Sequence, residues 1–184
     1  MAAVIHIVKP QRASLFGEYT QLQLLPYLQN LMTNSTTRVD AVWDTYVEAS
    51  SKFQTRAKRG QTAGLRTLVA AKIPLPKGRD LKNFLTDSRN KDDLFKFLSE
   101  ELQRNTLDSQ HHLFTTKGDL VLSNKTIDLT SLSPCQQEEA DTRMMVHLRH
   151  SVEQFHTKAY LRTVDSDVVV LAINFFKELG LTEL

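Results

Sequence analysis

Cysteine is almost missing from this chain. Cys135 is the sole one among 184 residues, which excludes internal disulfides and cysteine-based zinc sites and suits a reducing compartment. An excess of one charge is missing as well. The 23 Lys and Arg and 21 Asp and Glu leave a formal net charge of +2, so any nucleic-acid contact must come from a local patch. No apolar run approaches the roughly 18 residues that a membrane-spanning helix needs. The N-terminus lacks the basic, apolar and small-residue order of a secretory signal. Internal repeats and low-complexity tracts are absent too. These absences predict an intracellular protein, nuclear or cytoplasmic, with no membrane partner. The length predicts one domain over residues 1–184, and 41% hydrophobic residues suffice for a packed core.

What is there alternates between strand-like and helix-like stretches. Residues 2–8 form a β-branched run ended by Lys9-Pro10 and predict a buried strand. Ser14 is placed to cap a helix carrying Leu15, Tyr19, Leu22, Leu25 and Leu28, with a kink expected at Pro26. Residues 38–43 predict a second strand that ends on Asp44. Lys52, Arg56, Lys58 and Arg59 follow within ten residues that hold no acid, and Arg66 extends the run. With Pro74, Pro76 and Gly78 beyond it, the stretch over about 50–88 reads as a basic, irregular insert. Asn90 is a suitable N-cap for a helix with Leu94, Phe95, Phe97, Leu98 and Leu102 on one side. Residues 111–116 and 120–122 predict short strands about a Lys117-Gly118-Asp119 turn. After the break at Ser133-Pro134, a helix is expected over 137–155, a strand over 158–163, and a closing helix over 168–179 ended by Gly180. Strands alternating with helices point to an α/β architecture with a parallel sheet.

Acidic residues gather at two of these boundaries. Glu138, Glu139 and Asp141 crowd the start of one helix, and Asp165 and Asp167 stand just past the end of a predicted strand. Ligands of open α/β sheets collect outside the carboxyl ends of strands. Acids brought together there would repel unless a cation lay between them, and hard Mg²⁺ or Mn²⁺ ions prefer such oxygens.

Glu139-Ala140-Asp141, a helix, and then Thr163-Val164-Asp165-Ser166-Asp167 resemble the internal motif of flap-endonuclease-type nucleases in the PIN-like superfamily. Val42-Trp43-Asp44 with the basic residues after it is similar to that family's N-terminal region. Over nearly its full length the chain also resembles uncharacterised, transposon-associated animal proteins with the same two segments. The resemblance implies a three-layer, Rossmann-like sandwich with a mainly parallel central sheet flanked by helices. It implies a metal-dependent phosphodiesterase in which Asp44, Glu139, Asp141, Asp165 and Asp167 hold one or two Mg²⁺ or Mn²⁺ ions, with no other cofactor. Lys52, Arg56, Lys58, Arg59 and Arg66 would then contact DNA or RNA phosphates.

The chain departs from the family pattern in three ways. No acid lies in residues 2–8, where the family places its first catalytic Asp, and the C-terminus stops short of a further strand. Truncation at both ends, and a catalytically inactive, mobile-element-derived module for nucleic-acid binding or protein interaction, therefore stand as alternatives. Glu139 and Asp141 do not share a helical face, whereas Glu138 and Asp141 do, while the family register favours Glu139. Each acid also has a plain reading, as an N-cap or first-turn residue, and the basic run as a solvated face. His147 and His150 lie one turn apart without an evident third metal ligand.

Overall fold

The computed structural model describes residues 2–33, 35–46, 66–105, 110–137, 139–163 and 165–183. Its first element departs from expectation. Residues Ala2–Ile7 form a helix, α1, rather than a strand. Val4, Ile5 and Val8 are buried while Ile7 is 54% exposed, the spacing of a helical face. A strand would have put Val4, His6 and Val8 together on one side. Packing of that face outweighed the β-branched composition.

The next helix is interrupted as Pro26 predicts, but by an unusual route. Phe16–Tyr19 (α2) passes into a π-helical stretch, Thr20–Leu24, and then into α3, Leu25–Leu31, with Pro26 in its first turn. A proline donates no N–H and crowds the preceding turn, and a widened π turn accommodates both effects. Ser14 is not the cap. Instead the Glu18 carboxylate reaches back to the N–H groups of Ser14 at 2.7 Å and Leu15 at 3.2 Å.

Part of the expected irregular insert is helical: α4 runs Gly78–Thr86, and α5 runs Ser88–Arg104. Asp87, not Asn90, caps α5, its carboxylate accepting from the Arg89 N–H at 2.9 Å. Asn90 is wholly buried inside the helix and ties it to its surroundings. Its amide donates to the Phe84 carbonyl and its oxygen accepts from the Thr67 N–H.

Among the described residues, the sheet has three strands in the order β1 (Arg38–Ala41), β2 (His112–Lys117), β3 (Leu120–Ser123). β1 and β2 are parallel, with Val39 opposite Leu113. β2 and β3 form the expected antiparallel hairpin about Gly118, whose φ of 61° suits a glycine. The sheet is therefore small, open and mixed, not mainly parallel. Two predicted strands are missing from it: Ala2–Ile7 is helical, and residues 158–163 join no strand of the sheet among the described residues. The latter keep a strand's alternation all the same, with Ala159, Leu161 and Thr163 half-buried and Lys158, Tyr160 and Arg162 exposed. Among the described residues, one isolated parallel bridge, Lys158 to Glu183, is all that pairs them.

Helix α6, Ala140–Glu153, and helix α7, Ser166–Leu179, complete the fold, and Gly180 ends α7 in the left-handed region at φ 70°. The core lies in three parts. The largest joins α1, α2, α3 and the two helices α4 and α5 to Trp43 and Leu113. A second gathers Phe114, Val121, Leu132 and Cys135. The third, Met145, Leu148, Ala172 and Leu181, joins α6 to α7. Among the described residues, no helix is long and apolar enough to cross a membrane.

Candidate functional site

The end of β1 is positioned by the tryptophan that follows it. The Trp43 backbone N–H donates to the Thr116 hydroxyl at 2.8 Å and its indole N–H to the Thr115 hydroxyl at 3.0 Å. Its ring stacks on Phe95 of α5, with centroids 4.8 Å apart. So held, the chain delivers Asp44 to the start of α6, where its carboxylate accepts the Ala140 N–H at 3.1 Å. That N–H is one of the helix's unpaired first-turn donors, and a carboxylate there also meets the positive end of the helix dipole. Ala140 is flanked by Glu139, the N-cap residue, and Asp141, the acid of the first turn. Asp44 thus meets the acidic start of α6 at one corner. Glu138 lies outside the described residues.

Arg143 holds this corner from beneath. Its side chain is 1% exposed, and it donates to the carbonyls of Gly118 at 2.6 Å, Cys135 at 2.8 Å, and Gln137. Burial pushes the guanidinium pKa down from its usual value, with Cys135, Asp44 and Asp119 opposing that shift. Sequence reasoning offered Arg143 no such part. An Arg four residues beyond an N-cap Glu is ordinary on a solvated helix, and only its burial reveals that it knits the 118–137 connection to α6.

Asp165 and Asp167 stand at the start of a different helix, α7. Asp165 caps α7, accepting the Asp167 N–H at 3.0 Å, and both acids are exposed. Among the described residues, no three His, Cys, Asp or Glu side chains are grouped so as to hold a metal ion. The five acids have the oxygen donors that a hard cation takes. Of the basic residues, Arg66 pairs with Asp93 at 2.6 Å against α5. Lys52, Arg56, Lys58 and Arg59 lie outside the described residues.

A second polar cluster sits on β1 itself and was not singled out in the sequence. Arg38 and Asp40, two apart on one strand face, form a two-pronged ion pair at 2.7 and 2.8 Å. The Asp40 carboxylate also meets His147 Nδ1 at 2.7 Å. Burial by itself would raise the Asp40 pKa, but the bonds from Arg38 and His147 outweigh it and lower the value to about 2. The Arg38 guanidinium lies over the Phe114 ring, 4.1 Å from its centroid. His147 and His150 are both 2% exposed. The first is an Asp40 partner rather than a metal ligand, and the second packs edge-on against Phe114. Burial lowers the His150 pKa, and the Arg38 charge adds to the effect. The signal for this cluster was the Arg-x-Asp spacing on a strand, which alone is too common to interpret.

Arg38, Asp40 and His147 line a cavity of about 400 Å³ between β1, α3, α6 and residues 156–162. No known protein family matches the chain, nor does any curated protein sequence or any solved structure.

Proposed function

We propose that this chain is a PIN-like, flap-endonuclease-type nuclease domain that hydrolyses phosphodiester bonds of DNA or RNA with the help of Mg²⁺ or Mn²⁺. The observation that carries the reading is the 3.1 Å bond from the Ala140 N–H to Asp44. It joins the acid at the end of a parallel strand to the first turn of the helix that bears Glu139 and Asp141. Those three residues are the nucleus of the site, and Asp165 and Asp167 are its further acids. A bound divalent ion would supply an activated water and charge neutralisation at the phosphate. This chain's own part is to present hard oxygen donors, with Lys52, Arg56, Lys58 and Arg59 proposed for substrate phosphates and Arg66, which pairs with Asp93, as a further cation beside them. The three-layer plan belongs to the same proposal. It is supported by α5 packing on β2 and by α6 meeting Phe114 of β2 through His150.

One observation favours a second reading, a catalytically inactive module that binds nucleic acid or protein. The Asp165 carboxylate is occupied as a helix cap, and no three acids are grouped among the described residues. Cleavage assays separate the two. Labelled single-stranded, flap and duplex DNA and RNA are incubated with the protein and Mn²⁺, alongside Asp44→Asn and Asp165→Asn. The nuclease reading expects turnover that each substitution reduces by orders of magnitude. Substrate retention without cleavage, unchanged by either substitution, would move the conclusion to the inactive module.

A further inference from the structure

We infer that the groove between β1 and residues 158–163 receives one extended strand of a partner polypeptide. That strand is apolar on the side facing α1 and α3 and carries a carboxylate on the side facing α6. Both walls of the groove are unfinished. β1 pairs with β2 along one edge, and no described strand lies along the other. An open edge of that kind is a template for a further strand. Opposite it, residues 158–163 alternate between half-buried and exposed like a strand, yet have one isolated bridge, on the side of Glu183. The cavity between the two is lined from both. One strand placed there would be paired on each side, and added strands gain affinity from main-chain hydrogen bonds.

The chemistry of the lining specifies the occupant. On one side stand Val4, Leu28 and Leu31, which belong to or pack against the largest core. On the other stand Met144 and Leu148 of the α6–α7 core. The two cores are separate, and an inserted strand would lie between them. Beside Leu148 the lining turns polar. Arg38 Nη1 and His147 Nε2 are buried and have no hydrogen-bond partner among the described residues, in side chains that are 6% and 2% exposed. Buried polar atoms without partners are rare in native proteins, and each calls for a missing group. Asp40 is the one acid among the described lining residues, against Arg38, Lys158 and Arg162, of which Lys158 already pairs with Glu183 at 2.8 Å. The Asp40 carboxylate is already committed to Arg38 and His147. An incoming carboxylate is the group that meets this excess of donors.

The test uses the full chain and a fluorescent peptide of about nine residues, a length that covers an average strand. Val alternates with Thr in it, and Asp takes the central place on the Thr face. Anisotropy should report saturable binding. A proline on the Val face, which removes a ladder donor, and Asp→Lys should each weaken it by at least about tenfold, a step of about 1.4 kcal/mol. Hydrogen exchange should slow in both 38–41 and 158–163 when peptide is added. Tyr160→Pro, at a residue 74% exposed, should weaken binding while leaving the thermal transition in place. Three results would overturn the inference: no saturable binding, equal binding of the proline peptide, or slowed exchange on one wall alone. Sedimentation of the unliganded chain as a dimer with both walls already protected would also overturn it, since the occupant would then be a second copy.

Discussion

Arg143→Met removes the cation beneath the acidic corner at nearly constant side-chain length. Two carbonyls lose their donor, Cys135, whose bond is fully buried, and Gln137, whose bond is partly open to solvent, while the Gly118 carbonyl keeps the Thr45 hydroxyl at 3.1 Å. An orphaned buried carbonyl costs about 1–3 kcal/mol. Taking about 2 kcal/mol at Cys135 and about 1 at Gln137, where water can enter, predicts a loss of about 3 kcal/mol. That is a large share of the roughly 5–15 kcal/mol that stabilises a typical domain. Arg143→Lys, whose ammonium cannot reach all three carbonyls at once, should lose about half as much. Urea unfolding followed by circular dichroism gives the stability, and the midpoint should fall with the slope unchanged. Native-state labelling of Cys135, which is 1% exposed, gives a local readout. With the 118–137 connection released, labelling should accelerate at least about tenfold through local opening. A loss under about 1 kcal/mol with unchanged labelling would refute the role assigned to this arginine, because such a loss is typical of a surface substitution.

Three other outcomes follow from the same structure. The Asp40 pKa falls from an ordinary 3.8 to about 2 on folding, so its carboxylate contributes about 2 kcal/mol above the unfolded value. That contribution should vanish as pH drops from about 5 to about 2, and Asp40→Asn should flatten this limb of the pH–stability curve; an unaltered limb would contradict the assignment. Gly17→Ala would place a Cβ 3.0 Å from the Ala71 carbonyl oxygen. Overpacking of about 1–3 kcal/mol then opposes a helix gain of up to about 1, and the melting temperature should fall by about 2–4 °C. Peptide docking at β1 should raise the same transition, by an amount that grows with peptide concentration.

Much of the fold is legible where local chemistry decides. The 120–122 strand, the Gly118 turn and the Gly180 helix stop follow from turn residues and alternation, and the structure keeps them. Legibility fails where two distant segments must agree. Residues 2–8 have β-branched composition, yet the face made by Val4, Ile5 and Val8 packs as a helix against the largest core. Residues 158–163 have the alternation of a strand but, among the described residues, pair only through the isolated Lys158–Glu183 bridge. The missing pairings turn an expected parallel sheet into a mixed one. The same division runs through the site. Acids at helix starts can be seen in the sequence, and so can Asp44 after a strand. Their meeting at Ala140 depends on Trp43 being clamped by Thr115, Thr116 and Phe95. The Arg38–Asp40–His147 cluster joins residues 107 positions apart, and no local pattern announces it.

The most direct test of the nuclease proposal is Mn²⁺ titration by calorimetry, comparing the wild-type chain with Asp44→Asn/Asp141→Asn and with Asp165→Asn/Asp167→Asn. The proposal predicts saturable binding in the wild type, loss in the first variant, and weakening in the second. Equal heats in all three proteins, or none in any, would contradict it.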